Sequence, residues 1–216
     1  MDDFREFLNT LRYDFGKKSL SREDAGNDPF ALFALWISEA VKEKNRDPNA
    51  MVLSTVSPEG KPSSRVVLLR NFSKDGFVFY TNYNSRKGNE IQKNPFACLN
   101  FFWPELERQV RIEGMLYRQP DAESDSYFQS RPRESQISAW ISEQSRPVNS
   151  REELDLAYAT MAKKFEGRDI PRPPFWGGYV LKPEVIEFWQ GRPGRLHDRI
   201  LFNADGAEWK VERLAP

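Results

Sequence analysis

The chain has 216 residues, and its 32 basic side chains balance 32 acidic ones, so bulk attraction to nucleic acid is not expected. Its mean hydropathy of −0.70 is polar, yet 16 Phe, 7 Tyr and 6 Trp supply the aromatic surface for a packed core that a disordered chain lacks. The longest apolar run, Phe30 to Ile37, is far short of the ~20 residues of a membrane span. A single cysteine, Cys98, excludes an intrachain disulfide framework, and the opening MDDFREF has neither basic leader nor apolar stretch, so a cytoplasmic protein is expected.

Phe4, Phe7, Leu8 and Leu11 recur at helical spacing and predict a short amphipathic helix over 3–12. Asp28-Pro29 reads as an N-cap followed by proline at the first helical position, opening a helix to about Lys44. Met51–Val56, Ser64–Arg70 and Phe77–Thr81 are β-rich runs separated by the turn-forming stretches 57–60 and 73–76. A short helix is expected from Asn84 to Lys93, with Arg86 and Lys87 in its first turn. Cations are unfavourable there unless an anion arrives. Phe96–Trp103 and Glu107–Arg118 read as strands, and 121–165 as helical. β character returns at Gly178–Leu181, Val185–Trp189, Leu196–Phe202 and Trp209–Leu214. Strands in groups with helices inserted between them predict an α+β protein on an antiparallel barrel.

The residue inventory removes several chemistries. One His and one Cys cannot build a zinc site of the usual kind within one chain, and no metal is expected. The G-x-S-x-G elbow and both standard phosphate-binding glycine loops are absent, so a phosphate-bearing ligand would be held by side chains. The neutral total is unevenly spread. Residues 61–90 carry Lys61, Arg65, Arg70, Lys74, Arg86 and Lys87 against Asp75 and Glu90, and Arg192, Arg195 and Arg199 cluster near the C-terminus. These are either two solvated basic faces or two halves of one anion site.

Glu187-Phe-Trp-Gln-Gly-Arg-Pro-Gly-Arg-Leu-His-Asp-Arg199 and Glu212-Arg-Leu-Ala-Pro216 resemble the signature of the pyridoxine/pyridoxamine 5′-phosphate oxidases. Collinear blocks extend the resemblance over nearly the whole chain: Arg65–Arg70, Phe79–Asn82, Ser85–Gly88, Glu107–Val110, Tyr127–Arg133, Ser135–Ile137 and Trp176–Gly178. It implies a single-domain FMN-binding split barrel over 1–216, mainly antiparallel with peripheral helices. It also implies a homodimer with active sites at the subunit interface, and residues 1–27 as an N-terminal helix and lid segment. The implied reaction oxidises pyridoxine or pyridoxamine 5′-phosphate to pyridoxal 5′-phosphate, reducing oxygen to hydrogen peroxide and releasing ammonia from the amine. That is the last step of vitamin B6 cofactor synthesis.

Carried over residue by residue, the resemblance assigns Arg65, Val66, Val67, Leu68, Leu69, Arg70, Tyr80 and Thr81 to FMN, with Arg86 and Lys87 on its phosphate. Gln109, Gln144, Ser145, Trp189 and Arg199 complete the implied flavin contacts. Arg12, Arg70, Tyr127, Arg131 and Ser135 match substrate-binding positions, while Arg195 and His197 match catalytic residues facing the pyridine ring. Arg195, two residues from His197 on a strand, is expected to share its face, so that both reach one ligand. Arg70 stands where family members commonly have Lys, and Phe15 where some have Tyr. Two alternatives remain: a non-catalytic flavin or pyridoxal-phosphate module, and a related flavin oxidase of another small aromatic.

Overall fold

The computed structural model describes residues 2–10 and 14–216, with side chains from Arg5 onward. In chain order the elements are α1 (Asp2–Thr10), α2 (Arg22–Ala25), α3 (Pro29–Lys42), β1 (Ala50–Val56), β2 (Pro62–Leu68), β3 (Asn71–Ser73), β4 (Gly76–Asn82) and α4 (Arg86–Lys93). They continue with β5 (Phe96–Trp103), β6 (Arg108–Arg118), α5 (Asp121–Gln129), α6 (Arg133–Ile141), α7 (Arg151–Lys164), β7 (Trp176–Gln190), β8 (Asp198–Asp205) and β9 (Glu208–Leu214). Contacts divide the chain into two compact units: one of Met1–Pro48, Asn100–Ile112 and Val185–Pro216, the other of Asn49–Leu99 and Glu113–Glu184.

In the second unit, β1 pairs with β2, β3 with β4, and β4 with the first half of β7, all antiparallel. The helices pack a separate cluster in which Phe128, Ile137, Phe165, Ile170 and Trp176 are buried; each such side chain contributes roughly 1.5–3 kcal/mol of transfer free energy. Ser85 caps α4 by accepting from the Gly88 N–H. Position 88 needs glycine, because a Cβ there would lie 2.1 Å from the Tyr83 carbonyl oxygen. The cap and this close approach hold the first turn of α4 against the end of β4.

In the first unit, β7 continues into an antiparallel β7–β8–β9 ladder. Trp36 meets Phe188 edge-on at 5.2 Å, and Phe188 meets Phe202 at 5.6 Å, centring its core. Asp28 caps α3 as its sequence predicts, accepting from the Phe30 and Ala31 N–H groups with Pro29 in the first turn.

Two expectations are corrected. The runs 178–181 and 185–189 form one strand, β7, despite Pro183. The β4 ladder ends at Leu181 and the β8 ladder begins at Val185, so the missing proline N–H falls between them. The strand expected from Leu196 starts only at Asp198. Pro193–Arg195 forms a tight turn in which Gly194 and Arg195 both have φ of 62°. Arg195 and His197 therefore do not share a strand face.

Candidate active site

A cleft of about 500 Å³ opens in the second unit, within the range of small-molecule sites. Arg65, Val66, Val67, Leu68, Thr81, Lys87, Gln144 and Ser145 line it, together with Arg70, Tyr80, Tyr127, Arg131 and Trp176. Twelve of these thirteen carry a role implied by the resemblance; Trp176 does not. Its one signal in the sequence is the Trp176–Gly178 block, which marks a matched position without giving it chemistry.

Arg65 projects from β2 into a web of acceptors. Its two terminal nitrogens donate to Thr55 Oγ1 at 2.6 Å, Leu53 O at 3.2 Å, Ser63 Oγ at 2.5 Å and Glu90 Oε2 at 3.4 Å. Lys87 Nζ donates to Thr81 Oγ1 and Gln144 Oε1, both at 3.0 Å. Burial, and then the nearby Arg65 charge, push the Lys87 pKa down to about 8. The loop carrying Gln144 and Ser145 is tied to the end of β4 by Asn82, which donates to Ser142 O at 3.0 Å. Ser145 Oγ accepts the Arg86 N–H at 3.2 Å.

The remaining lining is aromatic. Tyr80 and Tyr127 stack at 3.9 Å, and Trp176 lies nearly parallel to Tyr80 at 5.5 Å. The Arg131 guanidinium sits 4.6 Å over the Trp176 ring, and that of Arg70 lies 5.9 Å from Tyr127. Arg131 Nη1 is buried with no hydrogen-bond partner among the described residues. A buried guanidinium donor costs free energy when unpaired and suits an incoming anion.

Three assigned residues of this unit do not line the cleft. Leu69 is buried, one residue past the end of β2. Arg86 Nε donates to Glu90 Oε1 at 2.9 Å. Ser135 is half-buried on α6.

The first unit gathers another set. His197 and Trp189 rings are 4.6 Å apart, and Phe15 meets both edge-on, at 5.2 and 5.6 Å. Gly191 makes room for this: a Cβ there would come within 2.6 Å of the Phe15 ring. The Arg192 N–H donates to His197 Nδ1 at 3.2 Å, an assignment that leaves Nε2 carrying the proton of the neutral ring. Burial and then Arg195 lower the His197 pKa, favouring that neutral form. The segment carrying Phe15 is anchored by Glu107, which accepts the Gly16 and Lys17 N–H groups at 2.9 and 3.0 Å. Arg199 Nε donates to buried Glu187 at 2.7 Å. Gln109 is half-buried on β6, and Arg195 is exposed at the tight turn. Arg12 lies outside the described residues.

Residues 37–165 match a family model described as pyridoxamine 5′-phosphate oxidase. The chain belongs to that family. Residues 176–216 match a second model, the pyridoxine 5′-phosphate oxidase C-terminal dimerisation region. A pyridoxine/pyridoxamine 5′-phosphate oxidase of Rubrobacter xylanophilus is 52% identical over 212 residues, covering 98% of each chain. Among solved structures, Burkholderia lata PhzG in complex with tetrahydrophenazine-1-carboxylic acid is 31% identical with a TM-score of 0.86, covering 92% of this chain and 98% of that one. A pyridoxamine 5′-phosphate oxidase-related, FMN binding protein from Nostoc punctiforme shares the fold, with a TM-score of 0.68 at 20% identity and coverage of 88% and 98%. The α+β, antiparallel architecture expected from the sequence is thus the family's own.

Proposed function

We propose that this oxidase-family chain is an FMN-dependent oxidase that converts pyridoxine or pyridoxamine 5′-phosphate to pyridoxal 5′-phosphate. The observation that carries the reading is the cleft itself. It holds two sets of cationic donors, Arg65 with Lys87 and Arg70 with Arg131, and one buried Arg131 N–H that lacks an acceptor. Two phosphate-bearing ligands account for two such sets; a guanidinium fork and an ammonium both suit phosphate oxygens.

FMN fits the Arg65–Lys87 set, because Lys87 is desolvated beside another cation and, among the described residues, has only neutral oxygens as hydrogen-bond acceptors. Arg65, Lys87 and the Gln144–Ser145 loop would hold the FMN phosphate. Val66, Val67 and Leu68 would border the flavin with backbone and apolar side chains. When bound, FMN supplies the two-electron chemistry, taking electrons from the substrate's C4′ carbon and passing them to oxygen. Arg70, Tyr127 and Arg131 would bind the substrate phosphate and orient the pyridine ring. His197, neutral and with Nδ1 held by the Arg192 amide, would present an Nε2–H donor to the ring, with Arg195 beside it. Trp189 and Phe15 would exclude water around that imidazole.

The protein is a homodimer acting on a small molecule, and we place its two active sites at the subunit interface with oxygen as the acceptor. We read residues 1–216 as one functional domain whose first 27 residues act as a lid, and the cytoplasm as its compartment. Among the described residues no helix is long and apolar enough to cross a membrane.

The likeness to PhzG keeps a non-phosphorylated aromatic substrate as a second reading, but Arg131 and Arg70 favour a phosphorylated one. The test is purification, reconstitution with FMN, and addition of pyridoxine 5′-phosphate in air while pyridoxal 5′-phosphate and peroxide are followed. Yellow protein with equimolar product and peroxide is expected. Protein that takes up no flavin and forms no aldehyde would overturn the reading. Faster turnover of pyridoxine than of its phosphate would favour the second one.

A further inference from the structure

Glu90 has no part in the reaction just described, yet it is the most heavily hydrogen-bonded carboxylate beside the cleft. It lies on α4 one turn beyond Arg86 and is only 6% exposed. Oε1 accepts from Arg86 Nε at 2.9 Å. Oε2 accepts from Thr55 Oγ1 at 2.5 Å, Ser63 Oγ at 2.6 Å and an Arg65 terminal nitrogen at 3.4 Å. One side chain thus ties β1, β2 and α4 together and touches two arginines. Burial opposes its ionisation, but the hydrogen bonds from Ser63, Thr55 and Arg86 outweigh burial and bring its pKa to about 2. It is a carboxylate at every working pH.

A buried carboxylate is a costly way merely to staple a helix to a hairpin, since well-packed apolar side chains often do that as well. What distinguishes this one is where its partners lead. Thr55 and Ser63 donate to Glu90 and accept from Arg65, so the Arg65 guanidinium is held from several sides while still lining the cleft. The charges of Arg65, Arg86, Lys87 and Glu90 leave a net of two positive, matched to a phosphate dianion.

We propose that Glu90 is a positioning residue for the cofactor's phosphate: it fixes Arg65, and with it the first turn of α4, in the orientation that receives FMN. The proposal rests on the reading of the Arg65–Lys87 set as the FMN phosphate site. It separates two parts of one ligand, because Glu90 acts on phosphate recognition and not on the isoalloxazine ring.

Riboflavin, which lacks the phosphate, provides the readout. Glu90→Gln replaces an acceptor oxygen with an amide donor facing other donors. It should raise the FMN Kd of the apoprotein at least tenfold while changing the riboflavin Kd less than twofold. Glu90→Asp should restore part of the loss. In an Arg65→Ala background, Glu90→Gln should cost clearly less FMN affinity than it does with Arg65 present, since only its tie to Arg86 and the first turn of α4 is left. If Glu90→Gln does not fold, Ser63→Ala removes one tie and should weaken FMN about threefold with riboflavin unchanged. Equal losses for FMN and riboflavin, or FMN affinity that is unchanged or tighter in the variants that fold, would overturn the proposal. Wild-type protein that binds no FMN would overturn the functional reading, and this proposal with it, before any variant is made.

Discussion

The two ends of the cleft restrain their cations by different means. At one end Arg65 is held by a carboxylate, two hydroxyls and a carbonyl, and Lys87 by three side-chain oxygens. At the other, Arg131 and Arg70 lie against the faces of Trp176 and Tyr127, and Arg131 keeps a buried N–H unpaired. Hydrogen bonds fix a guanidinium's edges and leave few donors for a ligand. An aromatic face supports its plane and leaves the edges available. The first arrangement suits a cofactor that stays in place, and the second a substrate that exchanges every turnover.

Swapping damage between the ends is the severest test of that contrast. Arg65→Ala should weaken FMN about 100-fold, because one or two charge-assisted hydrogen bonds of roughly 1.5–3 kcal/mol each are lost. Arg131→Ala should raise the KM for pyridoxine 5′-phosphate by a similar factor and leave FMN affinity within twofold. Fluorescence titration of apoprotein and steady-state kinetics on flavin-saturated enzyme measure the two. If either variant damaged both ligands equally, the ends would not be separate.

A smaller effect comes from Lys87. Its pKa of about 8 in the ligand-free protein should rise when a phosphate dianion arrives, so binding takes up a proton. FMN affinity should be flat from about pH 7, where the phosphate is a dianion, to about pH 8, and fall, by up to tenfold per unit, above that. The ligand-free fold runs the other way. Because the unfolded lysine titrates near 10.5, that fold gains stability as pH rises from 8 towards 10.5. Calorimetry in buffers of different ionisation enthalpy should show proton uptake near pH 8, and its absence would remove Lys87 from the phosphate site.

The smallest effect belongs to Trp176→Leu. Loss of a cation–π contact worth about 1 kcal/mol should raise the substrate KM about fivefold without loosening FMN. A larger fall in thermal midpoint than in affinity would make Trp176 a core residue only.

Much of this was legible in the residues. Asp28-Pro29 announced its helix because capping is a contact over two or three positions. Phe96–Trp103 emerged with its observed limits because its hydrophobic content is local. Pro183 and the Pro193–Arg195 turn misled the strand boundaries. Whether a proline breaks a strand depends on which N–H its neighbours need, and φ at Arg195 is set by the fold around it.

Sequence alone determined the family, the antiparallel α+β class, and the absence of both standard phosphate-binding glycine loops. Only the tertiary structure decided which charges meet. Glu90 reads in the chain as one of two acids among six cations; folded, it lies within hydrogen-bond reach of residues 35, 27 and 25 positions earlier. Arg131 and Trp176 are likewise brought together from 45 positions apart. Helix and strand periodicity records burial over a few neighbouring residues. Pairing across such distances depends on topology and on which polar groups burial forces to find partners.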